Sequence, residues 1–569
     1  MAESFRGRGV IAGIAMGRVM MVGKNLDGYL KTYEPGTPEE ESEKASAAIA
    51  AVAENLQESV KRLRETGMRE QSAIMDTHRM MVQDPMLEQS IVMKVQDLKN
   101  APMAVLAAAK DQAAVFEQMD DDYFRERATD IRDVGKSIAK FILGIKDPEL
   151  GIEPVIICGH EIEPSVIANI PAEKIAGVIL GQGSTTCHAV IIAKARSIPT
   201  VVGIGDNMSR IDDGGYLVLD GSTGEIIPSP SEGERAVYGE KLRKQRGLEQ
   251  YYSELAELPA ATTDGVSVKL AANIGNHMDI DNARTFGADG VGLFRSEFVF
   301  MGREDIPNEK DQFLAYRNAI EKCHGSLCII RTMDIGGDKP LPYLDIPHED
   351  NPFLGCRAIR ISLRRRDLFL PQLKAILRAG VFGPAAILIP MVINVSEIKA
   401  VQGFIAEAKA ELASEGRAYS DEVQLGIMIE TPAAAVMAGA LAEYVDFFSI
   451  GTNDLVQYTL AVDRSNSNIA ELYDHFNPAV LRLVQHTIKA AHDHGKWCGM
   501  CGEMAGDPYA AVLLLAMGID ELSMSAPSIP HVKEKIRGIS FVRAKEVLEK
   551  VMEIEDGGEI REYMRRMLS

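Results

Sequence analysis

The sequence predicts a multidomain α/β protein: a small α/β domain carrying an inserted helical bundle, a connecting helix, and a C-terminal (β/α)8 barrel. Three observations lead there. The chain has 569 residues, too many for a single core. From Thr263 onward, short β-type runs alternate with long helical stretches, as in a parallel barrel. From about Pro38 to Ile145 the pattern is helical throughout, between two stretches of α/β character.

In chain order, Val10 to Val22 reads as apolar runs broken by Gly13 and Gly17, room for a short strand or two. In the helical segment, Ile49, Val52, Leu56, Val60 and Leu63 recur at three- and four-residue steps, one face of a helix. Leu87, Ile91, Val95 and Leu98 repeat the pattern, as do Leu106, Ala109, Ala113 and Phe116, and then Ile131, Val134, Ile138 and Phe141. An antiparallel bundle follows, with the acidic runs Glu39–Glu41 and Asp120–Asp122 on its solvated side.

From Glu153 to Ile227 the β-type runs Val155–Cys158, Gly177–Leu180, Thr200–Gly203 and Tyr216–Asp220 are separated by Gly, Asp and Asn turns. Pro228 and Pro230 close this domain. Glu232 to Leu258 then reads as a connecting helix ended by Pro259, with Leu248, Tyr251, Tyr252, Leu255 and Leu258 at helical spacing. The barrel's runs are Val268–Ala272, Val291–Phe294, Cys328–Ile330, Ala386–Pro390, Gly426–Ile429, Phe447–Ile450, Lys496–Met500 and Glu521–Met524. No Gly-rich dinucleotide fingerprint favours an open doubly wound sheet instead. The boundaries expected are 1–24 with 146–228 for the α/β domain, 25–145 for the bundle, 229–259 for the connector and 260–569 for the barrel.

Composition narrows the function. The chain is 46% hydrophobic and 25% charged, ordinary for a globular protein, with a net charge of −21. That charge argues against nucleic acid or an anionic membrane as the main partner and suits a basic protein partner; an anionic substrate then needs a local island of arginines. The first residues, Met1 to Gly7, lack an apolar signal region, and no apolar stretch reaches membrane-spanning length. With seven scattered cysteines, a reducing cytoplasm is expected.

The chemistry gathers in two places. Ala176–Leu180, Gly181, a small polar loop, His188 and Ala189–Ala193 read as strand, tight loop and helix, with His188 near the helix start. Unpaired N–H groups and the dipole favour an anion there, so a histidine is well placed to receive a phosphoryl group; taken alone, the loop-end reading is the better one, and the rest of the chain reverses it. In the barrel, catalytic residues belong just after the strands. Those positions hold Arg295, Arg331, Glu430, Asn453, Asp454 and Cys501, with Arg464 in the loop beyond. Carboxylates such as Glu430 and Asp454 suit Mg2+, which leaves positions for substrate oxygens. Arginine forks match phosphate and carboxylate. The implied substrate is small and carries both groups.

Six stretches carry a resemblance: Thr186–Ala189, Gly292–Phe298, Arg331–Lys339, Gly426–Ala434, Phe448–Leu455 and Gly499–Glu503. Over essentially its whole length the chain resembles enzyme I of the phosphoenolpyruvate-dependent sugar phosphotransferase system. The resemblance implies that phosphoenolpyruvate phosphorylates His188, which passes the group to the carrier HPr as pyruvate is released. It implies that Arg295, Arg331 and Arg464 hold the substrate with help from Asn453 and Asp454, that Glu430 and Asp454 bind Mg2+, and that Cys501 protonates the enolate carbon. It also implies a homodimer through the barrel and carrier docking on the helical insert around His78–Glu88, where Met80, Met81 and Leu87 are either an apolar patch beside Asp84 or bundle core.

The histidine loop departs from the family's usual Gly-Gly-Arg-Thr-Ser-His, with Thr185 for the arginine and Cys187 for the serine. Its Thr-Cys-His form is closer to phosphoenolpyruvate synthase and pyruvate phosphate dikinase. Two other readings therefore stand beside the first: a synthase-like fragment served by a separate ATP-binding subunit, and a non-catalytic sensor of phosphoenolpyruvate. Cys498 and Cys501 form a C-x-x-C, a redox signal that its place at a barrel strand end argues against. His492-Asp493-His494 reads as a solvated helix end rather than a metal site.

Overall fold

A computed structural model describes residues 4–22, 26–65, 69–117, 122–145, 153–162, 164–182, 187–301, 303, 305–336, 341, 343–344 and 349–568. The chain divides into two compact units, residues 1–247 and 248–569.

The strands of the first unit are β1 (Phe5–Arg6), β2 (Arg8–Ile11), β3 (Ile14–Met21), β4 (Val155–Gly159), β5 (Ile175–Leu180), β6 (Thr200–Val202), β7 (Tyr216–Asp220) and β8 (Glu225–Pro228). They form one eight-stranded sheet in the order β1-β8-β7-β3-β4-β5-β6-β2. The central β3, β4, β5 and β6 are parallel, and the outer strands pair antiparallel.

Between β3 and β4 the chain leaves the sheet for the helices Leu26–Thr32, Pro38–Glu65, Arg69–Val82, Pro85–Leu98, Ala101–Glu117 and Asp122–Ile142. Their periodic apolar residues, Ile49, Val52, Leu56, Val60, Leu63, Leu87, Ile91, Val95, Val134 and Ile138, are buried. They share one core with Met20, Ile157, Val178 and Leu180 of the sheet and with Ala189 and Val190 just beyond β5. The pattern overshoots at the helix ends, where Leu98 is 46% and Phe141 47% exposed.

One member of the acidic run expected on the solvated side, Glu41, is instead buried and ties this helical part together, while Asp120 and Asp121 of the other run lie outside the described residues. Glu41 accepts from Tyr33 Oη, from the backbone N–H groups of Gly36 (2.9 Å) and Ala101 (2.8 Å), and from Lys44 Nζ (2.7 Å). It thereby satisfies an orphan donor at the start of the helix Ala101–Glu117. Burial alone raises its pKa, but Lys44, the Ala101 and Gly36 N–H groups and Tyr33 together lower it to about 2. Glu41→Ala strands several donors in the interior and is expected to destabilise this part by about 3 kcal/mol, read by thermal unfolding. Because the folded pKa is depressed, the wild-type contribution is complete above the ordinary value of 4.5 and is lost as pH falls toward 2. The stability gap between wild type and variant therefore narrows in acid.

The helix Glu232–Ala256 carries the chain into the second unit. There β9 (Lys269–Ile274), β10 (Gly290–Arg295), β11 (Cys328–Arg331), β12 (Ala385–Ile389), β13 (Gln424–Ile429), β14 (Phe447–Ile450), β15 (Trp497–Met500) and β16 (Glu521–Met524) close a parallel barrel. The predicted fold class is the one found. Arg295 and Arg331 are the last residues of their strands rather than the first beyond them, and pair in register with each other.

The barrel interior is filled by Leu293, Ile329, Ala386, Leu388, Met428, Phe447 and Cys501. Phe447 stacks on Trp497 with ring centres 4.3 Å apart, and at Gly426 a Cβ would come 2.2 Å from the Phe447 ring. Glycine makes room there for an aromatic floor. A second, larger core lies between the strands and the surrounding helices. Among the described residues, no helix is long and apolar enough to cross a membrane.

Candidate active site

The C-terminal ends of the barrel strands open into a cleft of about 340 Å3. Arg295 comes to it from the end of β10, Arg331 from β11, Glu430 from the residue after β13, and Cys501 from the residue after β15. Asn453 and Asp454 come from the first turn of the helix Thr452–Leu460, and Arg464 from the loop after it. The barrel candidates from the sequence thus line one cavity. Small residues let them approach: at Gly451 a Cβ would lie 2.9 Å from Glu430 Cβ, and at Gly502 one would strike Thr452.

Further charges surround them. Arg331 pairs with Glu297 through Nη2 and with Asp334 Oδ2 through Nη1 at 3.1 Å. Arg357 Nη2 donates to both oxygens of Asp334, at 3.0 and 3.1 Å, and its Nη1 lies 3.5 Å from Asp454 Oδ1. Arg464 Nη1 lies 4.0 Å from the same oxygen. Glu430 Oε1 accepts from the Met391 N–H at 2.5 Å. Asn453 and Glu503 clasp each other, Nδ2 to Oε1 at 3.3 Å and Oδ1 from the Glu503 N–H at 2.8 Å. Arg295 stands exposed, with no ion-pair partner among the described residues.

Burial sets the electrostatics. It works against the charge of Arg331, but Glu297, Asp334 and Glu430 outweigh it and hold the guanidinium protonated; Asp334 and Asp454 do the same for Arg357. Burial pushes the Glu430 pKa up, and the nearby charges of Asp454 and Asp334 add to the effect. Burial likewise raises the Cys501 thiol to about 11, against a Ser449 hydrogen bond and the Arg331 charge. Cys501 is therefore a thiol, not a thiolate, at neutral pH.

Two buried residues beside these groups, Ala358 next to Arg357 and Met391 at the Glu430 carboxylate, have φ of 53° and 58°. Side chains other than glycine rarely accept that region, and such strain collects where geometry matters.

The donor set fits a hard divalent cation. Glu430 is 1% exposed, and Asp454 Oδ1 is buried with no hydrogen-bond partner among the described residues. Two buried carboxylates at one cleft suit an ion that keeps its remaining positions for water and substrate. Among the described residues, no group of three His, Cys, Asp or Glu side chains forms a cage by protein ligands alone.

His188 belongs to the first unit. It opens the helix His188–Ala195, beyond β5, with Cys187 in extended conformation as N-cap. Ala189, Val190, Ile192 and Ala193 anchor that helix in the core. Arg196 holds its far end, donating to the carbonyls of Ile167 and Ile170 at 2.6 Å and Ala168 at 2.8 Å. The loop residues Gly183–Thr186, Thr185 included, lie outside the described residues, as does Gly337–Lys339.

The sequence decoys separate cleanly. Cys498 lies in the core between strands and helices, whereas Cys501 lies in the barrel interior. Both are free. His492 Nε2 meets Asp520 at 2.9 Å and His494 Nδ1 meets the Ala490 carbonyl at 2.9 Å, so the two rings turn to different partners. Met80 is 56% exposed, Met81 is half-buried and Leu87 is core. Sequence reasoning assigned no role to Glu297, Asp334, Arg357 or Glu503. Glu297, Asp334 and Glu503 stand within the motifs that carry the resemblance; Arg357 follows no strand and gave no signal.

Comparison with known proteins covers almost the whole chain. Residues 6–127 match the family described as PEP-utilising enzyme, N-terminal; residues 151–224 match its mobile domain, and residues 249–541 its PEP-binding domain. The phosphoenolpyruvate-protein phosphotransferase of Haemophilus influenzae is 43% identical over 509 residues, 88% of this chain and 87% of that protein. The protein of the same name from Geobacillus stearothermophilus is 41% identical over 534 residues, 93% of this chain and 92% of its own length. That of Bacillus sp. strain S is 41% identical over 554 residues, 95% and 96% of the two chains.

Proposed function

This chain belongs to the family of phosphoenolpyruvate-protein phosphotransferases, and on that premise we propose that it transfers the phosphoryl group of phosphoenolpyruvate to its own His188, releases pyruvate, and passes the group to a small carrier protein of the HPr type. The observation that supports this most is the cleft itself. Arg295, Arg331 and Arg464, two buried carboxylates and a protonated thiol converge on a volume suited to a small anion.

The arginines bind the phosphate and carboxylate, and their charges stabilise the negative charge that develops as the phosphoryl group leaves. A ring nitrogen of His188 forms the new bond to phosphorus as the bond from phosphorus to the enol oxygen breaks. The electron pair goes to the enolate. The Cys501 thiol gives its proton to the methylene carbon, which completes pyruvate, and the thiolate regains a proton from solvent. Asn453, held by Glu503, orients the substrate beside Arg464. Glu430 and Asp454 would hold Mg2+, which would supply positive charge beside the substrate's anionic groups.

The carrier docks on the helical insert, where Met80, Met86 and Met93 are more than half exposed. The free cysteines suit work in a reducing cytoplasm. A homodimer through the barrel belongs to the same reading, and sedimentation checks it.

The test is incubation with labelled phosphoenolpyruvate and Mg2+. Acid-labile label on His188 is expected, lost on chelation and restored by Mg2+. Label from ATP alone, or none from either donor, overturns the reading.

A further inference from the structure

The loop that delivers Arg464 is held at its far end by three consecutive side chains, each bonded to a different element. It leaves the helix Thr452–Leu460 through Ala461, at φ 54°, and runs to Asn477, the N-cap of the helix Pro478–Asp493. Arg464 itself is loosely fixed. Its N–H donates to Gln457 Oε1 at 3.1 Å, and its guanidinium lies 4.0 Å from Asp454 and 6.0 Å from the centre of the Phe353 ring.

The far end is tightly fixed. Tyr473 Oη donates to the Asn453 carbonyl at 3.0 Å. Asp474 Oδ1 accepts from Arg561 Nη2 at 2.6 Å and from the Phe476 N–H at 2.9 Å. His475 Nε2 meets Asp507 Oδ2 at 3.3 Å, while the other oxygen of Asp507 caps the helix Pro508–Met517. Arg561 stands on the last helix, Gly557–Met567, with its guanidinium 5.4 Å from the centre of the Phe476 ring. That helix begins with a buried glycine, where a Cβ would lie 2.4 Å from Asp474 Oδ2. The carboxylate is therefore seated against the first turn and bonded to a side chain one turn on.

We propose that Asp474 and Arg561 are positioning residues for phosphoenolpyruvate, acting through the loop that carries Arg464. The proposal rests on the reading of Arg464 as a substrate group. The last helix, remote from the chemistry, then sets where a substrate-binding guanidinium stands. The Arg561 side chain is 40% exposed and that of Asp474 17%, so solvent screens the pair and it adds little to global stability. Its loss is felt as freedom in the loop. Misplacement of a binding group by about 1 Å costs up to about a hundredfold in rate, so a change outside the cleft is readable in kinetics.

The experiment uses the full chain and steady-state pyruvate release in Arg561→Ala, Arg561→Lys, Arg464→Ala and the double variant Arg464→Ala/Arg561→Ala. Arg561→Ala is expected to raise KM for phosphoenolpyruvate roughly tenfold with a much smaller change in kcat, the signature of lost uniform binding, and Arg561→Lys to restore most of it. In the Arg464→Ala background the second substitution is expected to add nothing, because its route to the substrate is gone. An unchanged KM in Arg561→Ala, beside a raised KM in Arg464→Ala, overturns the positioning role and leaves the cleft reading intact. An equal further rise in the double variant overturns the route through Arg464. A KM unmoved by Arg464→Ala sinks the cleft reading, and the positioning role with it.

Discussion

His188→Ala is expected to lose phosphorylation from phosphoenolpyruvate while keeping its affinity for phosphoenolpyruvate and Mg2+. The proposed acceptor belongs to the first compact unit and the barrel candidates to the second, and the described residues that line the cleft all come from the second. The substitution is mild for the fold, because alanine is the best helix former and the helix His188–Ala195 is held by Ala189, Val190, Ile192 and Arg196. The effect on chemistry is total: removing a covalent nucleophile costs on the order of a millionfold, here the detection limit for label in the protein. Labelled phosphoenolpyruvate measures the first half and calorimetry the second. Label retained by the variant shows that another residue is the acceptor. Loss of binding shows that the two sites are not separable as described.

Much of this arrangement was legible in the sequence, for a physical reason. Parallel barrel strands are buried on both faces and read as near-continuous apolar runs, and a polar residue that ends such a run stands on the rim where ligands bind. Ile427, Met428 and Ile429 followed by Glu430, or Phe448, Ser449 and Ile450 followed shortly by Asp454, show the rule at work. It slipped by one at Arg295 and Arg331, which complete their strands, because pairing continues one residue past the apolar run.

The rule has no purchase where backbone geometry replaces pattern. Arg357 is 2% exposed and braces Asp334 and Asp454, yet it comes from an irregular stretch between β11 and the helix Arg366–Ala379. Its placement depends on Ala358 at φ 53°, and nothing in an alanine announces a positive φ. In the first unit, β1 and β2 are too short to show alternation, and β8 ends on Pro228, which reads as a terminator although it stands opposite Leu217 of β7. The clasp of Tyr473, Asp474 and His475 was invisible for another reason: its partners Asn453, Arg561 and Asp507 are brought to it only by the closed barrel.

The sharpest division expected is between two cysteines three residues apart. Cys501 sits in the barrel interior on the lining of the cleft, and its burial-raised pKa of about 11 keeps the proton on sulfur at working pH. Cys498 is fully buried on the other side of the strand, packed among the helices and absent from the cleft. Cys501→Ala therefore removes the donor to the enolate carbon and is expected to lower turnover from phosphoenolpyruvate by roughly a hundredfold to ten-thousandfold, the range of general acid catalysis. The arginines and carboxylates stay, so substrate still binds. In the proposed second half-reaction, transfer from His188 to the carrier involves no enolate and is expected to survive. Cys498→Ser places a hydroxyl in an apolar core and costs about 1–3 kcal/mol of stability, with turnover per folded molecule unchanged. The pH profile carries the sign: a donor must be protonated, so this contribution is flat from pH 6 to 9 and falls only as pH rises toward about 11. A dithiol redox site gives another pattern, with both substitutions equally damaging and activity governed by dithiothreitol. Measuring both half-reactions in both variants decides between them, and equal losses overturn the assignment of Cys501 as proton donor.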